Sequence, residues 1–151
     1  MEKDKIRSAR EQVERNPQDP GTLQDFVLAL SGAGEHREAT ERGLELARLV
    51  PREASAWSTL GLVMKRARNW EGAEMAYRRS LLIRPRDARV MSLLGLVLKE
   101  RGQLEDALGF FQASLEEDDS HGEVWSSYGN ALLAIGAFEQ AVAAQSRAVE
   151  L

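Results

Sequence analysis

The 151-residue chain has no cysteine and only two histidines. The first absence excludes a disulfide scaffold, a thiol nucleophile and a Cys-based zinc site, and it fits a reducing compartment. His36 and His121 are far apart and lack the spacing of a metal-ligating pair, so each is expected on a surface turn. There is no excess of positive charge: 20 Lys and Arg face 24 Asp and Glu, a net charge of −4, and no nucleic-acid partner is expected. Long apolar runs are missing too, and none approaches the roughly 20 residues that span a bilayer. The start, MEKDKIRSAR, is charged and carries no apolar signal region, so neither secretion nor membrane insertion is expected and a cytoplasmic location is. Phosphate loops, nucleophile elbows and HExxH are absent. The acidic run EEDD at 116–119 lacks the alternating ligands of a calcium loop and reads as a solvated helix end. Paired carboxylates such as Glu105 and Asp106 read as surface solvation. No enzyme, metal or cofactor is expected.

What is present is a period. Ala39, Ala73, Ala107 and Ala141 are 34 residues apart, as are Pro17, Pro51 and Pro85. Gly61, Gly95 and Gly129 repeat at the same interval, and Trp57 is followed by Met91 and Trp125. Self-similarity at such a period marks stacked supersecondary units. Each unit reads as two helices, for example about 55–67 and 71–83, with no strand-like alternation. Gly34, Gly102 and Gly136, with Arg68 in the same column, mark the turn between the helices, and the prolines mark the end of the second helix. A glycine inside a helix costs about 1 kcal/mol against alanine. Gly61, Gly95 and Gly129 are therefore expected where the two helices approach, with Ala73, Ala107 and Ala141 as small counterparts.

These columns resemble the tetratricopeptide repeat, whose signature is W-x2-L-G-x2-Y followed by Ala, an aromatic residue and Pro. The second repeat carries Trp57, Leu60, Gly61, Met64, Ala73, Tyr77 and Pro85. The third carries Met91, Leu94, Gly95, Leu98, Ala107 and Phe111, with Asp119 for Pro, and the fourth Trp125, Tyr128, Gly129, Leu132 and Ala141, with Gln145 for the aromatic. The first departs most, with Val27 in the Gly column and Gly43 in the aromatic column. The resemblance implies an all-α fold, a right-handed α-solenoid of stacked antiparallel hairpins. It divides the chain into an N-terminal capping helix (1–19) and repeats 20–53, 54–87, 88–121 and 122–151, the last truncated, within one domain. Ile6, Ala9 and Val13 give the first segment one apolar stripe, fitting either a cap or the tail of an array that begins upstream.

In this family the first helix of each hairpin lines a concave face. The column Ala29, Val63, Val97, Ala131 is apolar and is expected to pack on neighbouring repeats. The stripe nearly opposite the core face reads Gln24 and Leu28, then Ser58, Leu62 and Lys65, then Arg89, Ser92, Leu96 and Lys99, then Ser126 and Asn130. An apolar row rimmed by charge is what a binding groove looks like. The expected function is a scaffold or adaptor that binds an extended or helical peptide segment with apolar and acidic character. A subclass of the family clamps chaperone C-termini with Lys in the Ser58 column and Asn in the Leu62 column; Arg89 alone fits that pattern, which disfavours it. Val142, Val149 and Leu151 are left without a covering helix, so a structural assembly protein, self-associating through the C-terminal helix or convex surface, is the alternative.

Overall fold

Nine helices account for nearly all of the chain. The structure is a computed structural model that describes residues 1–151. The helices are α1 (Glu2–Arg15), α2 (Pro20–Gly32), α3 (His36–Leu49), α4 (Ala54–Arg66), α5 (Trp70–Ile83), α6 (Ala88–Glu100), α7 (Leu104–Glu117), α8 (Gly122–Ala134) and α9 (Phe138–Glu150). The expected helices at 55–67 and 71–83 are α4 and α5, displaced by no more than one residue at either end. The turn column behaves as its glycines suggest. Gly34, Gly102 and Gly136 have φ of 81°, 77° and 80°, and Arg68 takes the same left-handed conformation at 59°. Asp19 and Asp87 accept the N–H of Thr22 and Val90 at 2.8 and 3.0 Å and so cap α2 and α6. Glu53 and His121 hold the same column before α4 and α8 and make no such cap.

The helices form two compact units, Met1–Ile83 and Arg84–Leu151. In the first, α1 packs on α2, α2 on α3, α3 on α4 and α4 on α5. Leu23, Phe26, Val27, Leu30, Ala39 and Leu46 are buried there, and Ile6, Ala9 and Val13 of α1 lie against them. Arg10 ties α1 to α3 through Glu38 at 3.0 Å. In the second unit α6 packs on α7, α7 on α8 and α8 on α9. Leu94, Leu98, Phe111 and Leu132 are among its buried side chains.

The glycine column has a different partner from the one expected. Ala73, Ala107 and Ala141 are fully buried. A Cβ on Gly61, however, would lie 2.6 Å from the Tyr77 ring, one on Gly95 2.8 Å from the Phe111 ring, and one on Gly129 2.8 Å from Gln145 Nε2. The glycine makes room for a long or aromatic side chain of the second helix, where two small residues would have left a void. The first hairpin reverses the columns, with Val27 on α2 and Gly43 on α3, and a Cβ on Gly43 would lie 3.1 Å from the Leu60 side chain of α4 and 3.8 Å from Val27.

The acidic run is also not simply solvated. Glu117 receives the Arg86 guanidinium at 2.8 and 3.0 Å. Asp118 accepts both the hydroxyl and the N–H of Ser120 and pairs with His121 at 3.2 Å. Those Ser120 bonds hold the Asp118 carboxyl below its usual pKa. Trp57 donates its indole N–H to the Pro51 carbonyl, and Trp125 donates to the Asp119 carbonyl, both at 2.9 Å. The exchange of Pro for Asp thus leaves this bond intact, because the backbone carbonyl supplies the acceptor.

Candidate functional site

In the first unit, five residues of the expected groove lie on α2 and α4. Leu28 is 36% exposed, and Leu62, Ser58 and Lys65 are half-buried. Burial, and then the neighbouring charge of Arg66, lowers the Lys65 pKa. Ser58 is satisfied locally, donating to the Ser55 carbonyl at 3.0 Å. Gln24 has a structural task, since its Nε2 donates to Thr59 Oγ1 at 3.1 Å. A second bridge runs from the Arg66 guanidinium to Ser31 Oγ at 3.2 Å. Two side-chain bonds therefore latch α2 to α4.

The second unit lacks both latches. Two repeats on, the Gln24–Thr59 pair becomes Ser92 and Ser127, and the Ser31–Arg66 pair becomes Lys99 and Ala134. Each serine instead donates to its own helix, Ser92 to the Arg89 carbonyl at 2.8 Å and Ser127 to the Glu123 carbonyl at 2.9 Å. The apolar filling is reduced as well. Leu46, Leu49 and Val50 pack around the α3–α4 junction, and the same columns at the α7–α8 junction hold Ser114, Glu117 and Asp118. Ser114 is buried with its hydroxyl on the Ala88 carbonyl at 2.7 Å.

The result is a cleft of about 590 Å³ between α6, α7 and α8. Leu93, Leu96, Phe111 and Val124 give it an apolar floor, and Arg89, His121 and Glu123 stand among its polar walls. It gathers three residues of the expected groove: Arg89, Ser92 and Leu96. Lys99 is half-buried further along α6 and does not line it. Ser126 and Asn130 also lie outside. Both are engaged by Gln145, whose Nε2 donates to the Ser126 carbonyl at 3.3 Å and to Asn130 Oδ1 at 2.9 Å. Leu93, Val124 and Ser127 were not among the expected residues. For Ser127 the signal lies in its pairing with Ser92, 35 residues away, where two short side chains replace a long one and its acceptor.

A second apolar surface lies on α8 and α9. Val142 is 64% exposed and Val149 87%, and with Leu133 and Gln145 they line a hollow of about 550 Å³. No group of three or more His, Cys, Asp or Glu side chains is arranged to hold a metal ion, and no helix is long and apolar enough to cross a membrane.

The tetratricopeptide repeat family profile matches residues 59–121 and 92–151. Among solved structures the chain is similar to MamA, residues 41 to the end, from Desulfovibrio magneticus RS-1. The TM-score is 0.89 at 21% identity, over 99% of this chain and 85% of that one. It is similar to TTC0263, a thermophilic TPR protein of Thermus thermophilus, with TM-score 0.81 and 22% identity over 96% of this chain and 80% of that one. YrrB, described as a TPR protein with an unusual peptide-binding site, gives TM-score 0.79 and 17% identity over 96% and 75% of the two chains. These likenesses establish the fold, an all-α helical repeat solenoid. No curated protein matches the sequence.

Proposed function

Because the chain belongs to the tetratricopeptide repeat family, a family of typically non-catalytic protein-interaction scaffolds, we propose that it is an adaptor that holds a peptide segment of a partner protein against its first-type helices. In this reading the repeats are 20–53, 54–87, 88–121 and 122–151 behind a capping helix at 1–19, and the protein works in the cytoplasm. The observation that carries the proposal is the cleft that collects Arg89, Ser92 and Leu96. A half-open space with an apolar floor and polar walls accepts a side chain from a ligand and orients the backbone that bears it. The half-buried Leu62 and the more exposed Leu28 on α4 and α2 offer further apolar contact in the first unit. Peptides selected from a phage-displayed random library on the full chain supply the test. Leu62→Asp with Leu96→Asp abolishes their binding and leaves far-UV circular dichroism unchanged. Equal affinity for the double variant overturns the groove.

A second reading, self-association through α9, is favoured by one observation. Val142 and Val149 expose more apolar area side by side than an ordinary isolated surface residue does.

A further inference from the structure

The two units treat the same inter-helix space differently, and the difference selects a ligand. Between α2 and α4 the space is crossed by Gln24–Thr59 and Arg66–Ser31. Between α6 and α8 the corresponding pairs cannot bridge. Ser92 and Ser127 have one heavy atom each beyond Cβ and turn back to their own helices, and Ala134 offers no acceptor to Lys99. This gap opens onto Leu93 and Leu96.

Charge on α6 says what enters. Arg89 and Lys99 stand at the two ends of the stripe that carries Leu96, and neither forms a salt bridge. Ten residues of helix separate them, roughly 15 Å at 1.5 Å per residue. That is the reach of about five residues of extended chain. Leu96 lies roughly 10 Å from the Arg89 level and 5 Å from the Lys99 level on the same rise. Glu123 faces the cleft from α8, so a carboxylate on the ligand is favoured on the α6 side only.

We propose that the α6–α8 cleft is the peptide seat of this protein and that it takes a segment with one large apolar side chain flanked on both sides by carboxylates. The apolar residue enters between Ser92 and Ser127, and the flanking carboxylates meet Arg89 and Lys99. On an extended segment the two acids are about four to five residues apart, with the apolar residue nearer the one at Lys99. The proposal rests on the peptide-adaptor reading above and sharpens it to one place and one ligand chemistry.

The test closes the cleft with the protein's own latch. S92Q with S127T recreates the Gln24–Thr59 pair in the second unit. Peptides from the random library are synthesised with a fluorophore, and anisotropy gives their affinity for the full chain and its variants. The selected peptides are expected to carry the acid–apolar–acid pattern. They bind S92Q/S127T at least tenfold more weakly, while its melting temperature stays at or above that of wild type. The surface charge reversal R89E/K99E, which leaves the apolar floor untouched, gives a comparable loss, and L82D, at an exposed residue of α5, gives none. Peptides that bind S92Q/S127T as well as wild type and lose affinity in L28D overturn the cleft assignment and leave the adaptor standing. Peptides without acids, indifferent to R89E/K99E, overturn the ligand chemistry. A library that yields no binding peptide overturns both this proposal and the adaptor.

Discussion

At Gly61 the absence of a single carbon decides how a hairpin closes. The Tyr77 ring occupies the place a methyl group would take, so Gly61→Ala must displace the ring or part the helices. It is expected to destabilise the protein by about 1–3 kcal/mol, the usual consequence of overpacking a filled core. Gly109, on α7, meets nothing within 4 Å of the same imaginary carbon. Gly109→Ala is therefore expected to stabilise by about 0.5–1 kcal/mol through helix propensity alone. Urea denaturation of the two variants beside wild type checks both signs at once. The column of glycines was legible in the sequence because it repeats every 34 residues. Its partner was not, because matching small with small ignores that the place of a missing side chain is open to a bulky neighbour at the right register. The aromatic column lies 16 residues beyond the glycine one, at Tyr77 and Phe111.

Among the elements, the turn inside each hairpin is the most stereotyped feature, and Arg68 is its exception. Three turns place glycine in the left-handed region, and the fourth forces an arginine into it at φ 59°. A side chain with a Cβ costs roughly 1–2 kcal/mol in that region. Part of the gain from removing it is cancelled by the greater freedom of glycine in the unfolded chain. Arg68→Gly is expected to stabilise the α4–α5 hairpin by a net of about 0.5–1 kcal/mol, read as a melting temperature higher by about 1–4 °C for a chain of this length. An unchanged or lower melting temperature contradicts this. Helix positions were readable to within a residue for α4 and α5, since periodicity, the flanking prolines and the turn column fixed by the other hairpins' glycines all pointed to the same boundaries. The cleft was only half readable. Arg89, Ser92 and Leu96 lie on one helix face, and a face is visible in a single stretch of sequence. Val124 and Ser127 come from the next hairpin. Whether they close or open the space depends on the combined reach of two side chains 35 residues apart, which no single helical pattern contains.

For the molecule as a whole, the repeat family and the all-α class followed from the period, whereas the identity of its partners does not follow from either. The exposed face of α9 bears on this, because it offers the chain itself as a partner. If self-association through Val142 and Val149 is used, the weight-average sedimentation coefficient rises with concentration, and Val149→Asp removes the rise. A strictly monomeric species throughout the range sinks that reading. The glycine–aromatic exchange in the first hairpin has a further consequence, for recombination. A crossover joining α2 to α5 would set Val27 against Tyr77, where not even a methyl group fits. The reciprocal product, α4 joined to α3, would set Gly61 opposite Gly43, without the aromatic ring that fills the place in the second hairpin. Helices of the second and third hairpins, with Gly61 and Gly95 facing Tyr77 and Phe111, escape this penalty. The two helices of the first hairpin are therefore expected to recombine with the other hairpins only as a pair.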